Sequence, residues 1–203
     1  MRCPNCKMSF VLHDDEDCAE HEKYHDLIVN GSQIILPDKE SLVWCDALDG
    51  VVLITDNSPP NIRKLGDDVA TCSRFNSEFD GLVFRSSDPP DERDAHIFIY
   101  VKDGRGVGLL CLDRRTMVRT CSWDADSVKY TCDDGSDLRL MWSIGYVWVH
   151  EKYRKNGLAS RFLNIILRSM DVSIDEIGWY SPFSNDGEKF IRKLCPTRFF
   201  IAK

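Results

Sequence analysis

The chain is 203 residues long, enough for one ordinary domain with a small appendage and a sizeable apolar core. Its 33 acidic residues outnumber 26 basic ones, for a formal net charge of -7. This excludes the broad basic footprint of a protein that grips nucleic acid through its phosphates, and favours a cationic protein partner. No apolar run approaches the roughly 20 residues that span a bilayer, and Cys3 and Cys6 stand where a signal peptide would be apolar, so a soluble intracellular protein is expected.

The N-terminus carries Cys3-Pro4-Asn5-Cys6 and then His21 and His25, a C-x2-C-x14-H-x3-H spacing. Zinc takes four N or S ligands in a tetrahedron; the knuckle supplies two thiolates, and two histidines four apart share one face of a helix expected over about residues 18–24. Met8 and Phe10 are expected to form a small apolar nucleus beneath the metal. A rival ligand set replaces His25 by Cys18, which stands three residues before His21. Asp14, Asp15, Glu16, Asp17, Glu20 and Glu22 make this unit unsuited to DNA and better suited to positioning a neighbouring domain or docking a protein. The division is therefore a zinc finger over residues 1–30 and a larger domain over 31–203.

Beyond the finger, residues 33–36, 41–46 and 51–56 read as short strands, the last two joined as a hairpin across Ala47-Leu48-Asp49-Gly50. Ser58-Pro59-Pro60 opens a helix in which Ile62, Leu65, Val69, Cys72 and Phe75 recur at three- and four-residue spacing, through about Phe79. Residues 86–94 are a Ser, Asp and Pro loop, and Asp103-Gly104 turns a hairpin between strands at 96–102 and 107–112. Residues 114–138 suggest one or two short strands around Asp133-Asp134-Gly135, with Cys121 and Cys132 as buried thiols. Nine irregularly spaced cysteines suit a reducing compartment better than a disulfide framework.

The most informative stretch follows. An alternating strand, 144–150, runs into Arg154-Lys155-Asn156-Gly157-Leu158-Ala159-Ser160 and then an apolar helix over 158–170. Glycine lets the backbone approach a phosphate, the helix N-terminus offers unpartnered N–H groups and partial positive charge, and Lys152, Arg154, Lys155 and Arg161 add formal charge. The turn is built for a pyrophosphate, and coenzyme A is the ligand it suggests. A strand at 176–180, a helix near 185–194 and a strand at 198–202 complete an α+β fold around a largely antiparallel sheet flanked by helices.

The strand, R-x-x-G-x-A turn and helix resemble the acetyl-CoA motif of GNAT-type N-acetyltransferases. Preceded by a finger ending His21-Glu22-Lys23-Tyr24-His25, and followed by Glu176-Ile177-Gly178-Trp179-Tyr180-Ser181-Pro182 and Asp186-Gly187, the pattern is similar to the sister-chromatid cohesion acetyltransferases. The resemblance covers nearly the whole chain and preserves the family's motif order. It implies a GNAT fold, a structural zinc finger, and a nuclear protein-lysine N-acetyltransferase that moves acetyl from acetyl-CoA to a cohesin SMC-type head subunit. It leaves room for chromatin-associated replication or cohesin-loading factors as further partners. It places Val147, Trp148 and Val149 against thioester and pantetheine. Arg154, Lys155, Asn156, Gly157, Leu158, Ala159 and Ser160 fall around the pyrophosphate, and Ser184, Asn185 and Asp186 at the far end of the slot. The family's carboxylate in the helix after the turn falls on Asn164, its acid before the proline on Ser181, and a tyrosine near the end of the last helix on Leu194. None of these is an ordinary base at neutral pH. Three routes stay open: Glu176 as base directly or through water, a carboxylate brought by the substrate, or a catalytically weak or silent docking protein that binds acetyl-CoA.

Overall fold

The computed structural model describes residues 1–75, 77, 94–124, 129–133, 135 and 137–202. Its elements are α1 (Asp15–Asn30), β1 (Ser32–Gln33), β2 (Leu42–Asp46), β3 (Asp49–Ile54), α2 (Pro60–Phe75), β4 (Ala95–Lys102), β5 (Arg105–Trp123), β6 (Tyr130–Cys132), β7 (Asp137–Val149), α3 (Leu158–Ser169), β8 (Gly178–Tyr180), α4 (Asn185–Leu194) and β9 (Arg198–Ala202). The strands form one sheet in the order β2-β3-β4-β5-β7-β8-β9. Among the described residues only β8 runs parallel to its neighbours β7 and β9, and every other pairing is antiparallel.

Turn chemistry explains the hairpins. Asp103 at φ 50 and Gly104 at φ 72 make the two-residue, left-handed connection that matches strand twist, so Lys102 pairs directly with Arg105. Between β2 and β3 the turn is Ala47-Leu48, tighter than the four residues expected, because Asp46 already pairs with Asp49. The strand expected at 33–36 shrinks to Ser32–Gln33: Ile34 still donates to the Gly104 carbonyl, but Ile35 swings out and Pro37 has no N–H to continue the ladder. Ser58 turns its hydroxyl back to accept from the Thr55 N–H, closing the turn that precedes α2. The loop expected at 86–94 lies outside the described residues except for Asp94.

The stretch 114–138 departs most from expectation. Instead of isolated short strands, β5 continues to Trp123 and β7 starts at Asp137, because β5 is paired on both edges for most of its length. Val118 faces Asp137 on one edge and Ala202 on the other. The register sets Cys121 opposite Cys132, with Cα atoms 4.0 Å apart, and the two form a disulfide where separate thiols were expected. The other cysteines are free.

Two apolar layers cover the sheet. On one face Phe98, Tyr100, Leu110, Leu112 and Ile144 pack with Phe162, Leu163 and Ile166 of α3; on the other Ile97, Ile99, Leu109 and Trp148 pack with Ile62, Val69 and Ala70 of α2. Gly108 permits the first contact, since a Cβ there would lie 2.9 Å from the Tyr100 Cβ and 3.2 Å from the Phe162 ring. Among the described residues no helix is long and apolar enough to cross a membrane.

The N-terminal unit is bolted to this body through the C-terminal turn of α1. Asp14 caps the other end by accepting from the Glu16 and Asp17 N–H groups. The fully buried His150, at the end of β7, accepts from the Lys152 N–H at Nδ1 and therefore donates from Nε2 to the Ile28 carbonyl at 3.0 Å. Cys72 donates to the Leu27 carbonyl, and Arg105 reaches both the Gly31 carbonyl and Asp26, the latter at 2.6 Å. Carbonyls that a free helix end would leave to water are thus satisfied by the sheet and α2.

Packing and pairing of this kind have measurable consequences for stability. Phe162 is fully buried, and Phe162→Ala should cost about 3–5 kcal/mol, read as a lowered denaturant midpoint at unchanged m-value. Hydrogen bonding from Arg105, then from Asn30, holds the Asp26 carboxyl below its usual range. The stabilisation is complete above the unfolded carboxylate pKa of about 3.9 and is lost as pH falls through the lower folded value. The melting-temperature gap between wild type and Asp26→Asn should therefore be full at neutral pH and close in strong acid.

Candidate functional site

The site begins with one extra residue. Cys111 pairs with Tyr146 and Leu112 with Ile144, so Gly145 is a bulge in β7. Beside it, β8 pairs with β7 at only two positions, Ser143 with Gly178 and Ile144 with Trp179, and ends at Tyr180. The two strands part there, and residues 146–149 of β7 keep β5 as their ladder partner on the opposite edge.

Backbone hydrogen bonding shows what the gap contains. The His150 N–H donates to the Val107 carbonyl, which makes Val149 and Gly108 a non-hydrogen-bonded antiparallel pair. The polar groups of Val149, and by alternation those of Val147, therefore point away from β5 into the gap. Arg154 Nε donates to the Val149 carbonyl at 2.7 Å, leaving the Val149 N–H aimed into the opening. Trp148 differs from its neighbours: its backbone faces Leu109 of β5 and its ring packs in the α2 layer.

Past His150 a short 3-10 turn, Glu151–Tyr153, leads to Lys155 at φ 62 and Gly157 at φ 86. Two left-handed residues so close together curl the chain around the N-terminus of α3. Asn156 Oδ1 accepts from the Leu158 N–H at 3.3 Å, while the Ala159 and Ser160 N–H groups, in the first turn, have no intrahelical acceptor. A Cβ at Gly157 would meet nothing within 4 Å, so glycine is required for its backbone angle and not for space.

The cations expected around this turn are largely committed elsewhere. Lys152 Nζ donates to Asn30 of α1 at 2.8 Å, Arg154 holds the Val149 carbonyl, and Arg161 lies over the Trp44 ring at 5.0 Å. Lys155 stays exposed at the turn itself. Across the gap, Ser184 caps α4 by accepting from the Gly187 N–H, with Asn185 and Asp186 exposed in its first turn.

The expected catalytic positions are scattered. Asn164 lines a 480 Å³ cavity with Trp44, Arg161, Ile165 and Arg168, on the side of α3 that faces β2. Ser181 is exposed just beyond β8 and precedes a cis Pro182. Glu176 does not start the strand as expected; it ends a 3-10 turn, Ile174–Glu176, and its carboxylate accepts from the Ser173 N–H at 3.0 Å. The Ser173 backbone, then its hydroxyl, holds this carboxyl below its usual range, which makes it a poorer base.

A cluster that sequence reasoning missed stands at the point of parting. Tyr180 donates from its hydroxyl to Asp113 Oδ1 at 2.5 Å, Arg115 pairs with Asp113 Oδ2 at 2.8 Å, and Arg115 Nε also donates to the Tyr180 oxygen. The only sequence signal was the i, i+2 spacing of Asp113 and Arg115 on a strand, hidden inside a charged run.

At the N-terminus, Cys3, Cys6, His21 and His25 converge, with all four ligand atoms within 4.8 Å of one another; Cys18 stays outside, donating to the Val11 and Leu12 carbonyls. Cys3 Sγ lies 3.3 Å from His25 Nδ1, and His21 Nε2 is buried without a hydrogen-bond partner. An orphaned imidazole nitrogen facing two thiols fits a tetrahedral zinc, whose ligand atoms stand roughly 3.3–3.8 Å apart. Met8 and Phe10 pack beneath the cluster, Phe10 stacked on His21 at 3.9 Å. Hydrogen bonding from the Cys6 backbone pulls the Cys3 thiol down to about 5, while burial raises Cys6.

Comparison with known proteins converges on this geometry. The ESCO1/2 acetyl-transferase family matches residues 139–202, which run from β7 through both turns to β9. N-acetyltransferase ECO1 of Eremothecium gossypii is 25% identical over 92% of this chain and 80% of its own length, and ECO1 of Candida glabrata 21% identical over 95% and 83%. The xEco2 acetyltransferase domain, solved bound to a K105-CoA conjugate, superposes with a TM-score of 0.63 over 80% of this chain and 97% of that one, at 16% identity, a likeness of fold. The parted strands and the glycine turn fall within the residues that match this family, and along more than nine-tenths of its length the chain is similar to the ECO1 N-acetyltransferases, on an acetyltransferase fold of the GNAT type.

Proposed function

We propose that this protein acetylates lysines of a cohesin SMC-type head subunit in the nucleus, with acetyl-CoA as donor and a structural zinc ion in the N-terminal unit. The observation that carries the reading is the opening between β7 and β8, into which the Val147 and Val149 backbone points, leading straight to the left-handed turn at Lys155 and Gly157. An extended pantetheine arm is an amide-bearing chain and can pair with such an edge as a further strand would. Acetyl-CoA supplies the activated thioester. The Ala159 and Ser160 N–H groups and the α3 dipole hold its pyrophosphate, Lys155 adds charge, and the outward-facing backbone of Val147 and Val149 flanks the pantetheine arm and thioester. The acidic chain suits a lysine-bearing partner, and the solved relative's lysine–CoA conjugate supports an amine acceptor.

A second reading, a docking protein that binds acetyl-CoA without turnover, draws on the placement of Asn164 outside the gap and of Glu176 in a cap. One experiment separates the two. Zinc-loaded protein is incubated with acetyl-CoA and a cohesin head fragment, and modified lysines are mapped by mass spectrometry. Site-specific acetylation, lost in Gly157→Glu, is expected. That variant forces a side chain into a left-handed position, at about 1–2 kcal/mol, and brings negative charge to the phosphate turn. Acetyl-CoA binding without any acetylation would sink the enzyme and favour the docking protein.

For the metal, one zinc per chain is expected by elemental analysis, with loss in Cys6→Ser and His21→Ala and retention in Cys18→Ser. Loss of zinc in the Cys18 variant would restore the rival ligand set.

A further inference from the structure

We propose that Tyr180 and Asp113 form the proton relay of this active site, taking the place of the carboxylates that the chain lacks at Asn164 and Ser181; the inference rests on the acetyl-transfer reading above. Tyr180 is the last residue of β8, where the strand leaves β7. Its ring lies against the bulge, since a Cβ on Gly145 would sit 3.3 Å from ring carbons Cδ2 and Cε2. The hydroxyl is held from two sides, donating to Asp113 Oδ1 at 2.5 Å and accepting from Arg115 Nε.

The cluster also stands on the right face. Leu112 and Ile144 pack in the α3 layer, whereas Cys111 packs in the α2 layer, so Asp113 shares the face opposite α3, where Tyr180 packs with Val118 and Met141. The phosphate turn delivers its ligand from the N-terminus of α3. An acceptor lysine approaching from the opposite face meets Tyr180 at the mouth of the gap.

The chemistry balances. Lysine arrives as an ammonium, because its free pKa is near 10.4. One proton passes from nitrogen to the Tyr180 oxygen as the hydroxyl proton passes to Asp113, whose carboxylate already accepts that hydroxyl at 2.5 Å and is held in place by Arg115 at 2.8 Å. The freed lone pair forms the C–N bond to the acetyl carbonyl carbon and the C–S bond breaks. The departing thiolate takes the second proton from nitrogen, and Asp113 returns its proton to solvent.

The test uses the full zinc-loaded chain with acetyl-CoA and the cohesin head fragment, comparing wild type, Tyr180→Phe and Asp113→Asn. Tyr180→Phe removes one oxygen and keeps the ring on Gly145, so it remains informative if Asp113→Asn folds poorly. Its kcat should fall by about 100-fold or more at neutral pH, with the acetyl-CoA Kd by calorimetry within about twofold of wild type. The deficit should shrink as pH rises from about 7 towards 10, where the acceptor amine loses its proton unaided, a recovery that a purely structural role would not produce. A Tyr180→Phe rate within about twofold of an active wild type, or a pH-independent loss, overturns the relay alone. An inactive wild type that still binds acetyl-CoA overturns the transfer reading and the relay together.

Discussion

The site depends on a single inserted residue. With Gly145 added to β7, the ladder with β5 slips by one position, the strand bends, and the β8 edge is freed just where the chain turns towards α3. A regular β7 would stay paired with β8 and bury its Val147 and Val149 polar groups in a ladder. Glycine also suits the bulge locally: a Cβ there would press on the Tyr180 ring at 3.3 Å. The opening is therefore a missing stretch of sheet, and its chemistry is that of an unpaired strand edge, which needs no special side chains to recognise an amide-bearing ligand.

The same end of β7 carries the mechanical link to the N-terminal unit. His150 is one residue beyond Val149 and three before Tyr153, and it is fully buried with both nitrogens engaged. Its donation to the Ile28 carbonyl joins the last turn of α1 to the strand that opens the phosphate turn, and Lys152 reaches Asn30 beside it. A small unit whose apolar nucleus is little more than Met8, Phe10, Tyr24 and Ile28 has too little core to fold firmly alone. The zinc proposed for its Cys and His cluster would supply the missing constraint, and a rigid α1 would in turn brace the turn. The acidic surface of α1 is thus compatible with a purely internal role.

Legibility in the sequence tracked locality. The Cys and His spacing, the Asp103-Gly104 hairpin, and helices α3 and α4 each rest on neighbours within a few residues, and each was readable. The extent of β5 was not, because its distal half exists through pairing with β9, far away in the chain, and its charged residues disguise the alternation. The Cys121–Cys132 pairing had the same origin, a register that only the folded hairpin sets. Glu176 illustrates a different failure. The residue lies where a strand start was expected, but Ser173 three residues earlier makes a capping box with it, and local capping won.

Formal charge contributes less to the phosphate turn than its composition suggests. Four cations stand near it in the sequence, yet three of them point elsewhere, to Asn30, the Val149 carbonyl and the Trp44 ring. Those three hold the structure together: Lys152 ties the turn to α1, Arg154 pins the end of β7 to the turn that follows it, and Arg161 fastens α3 over β2. What remains for an anion is mainly oriented backbone, the Ala159 and Ser160 N–H groups at the helix dipole, with Lys155 at the rim. Fixed dipoles cost no side-chain ordering on binding, whereas a mobile lysine gives up rotamer freedom when it clamps a phosphate. The pyrophosphate cradle proposed here would draw its affinity from the shape of the turn, so the left-handed backbone at Lys155 and Gly157 would matter more to it than the number of basic residues nearby.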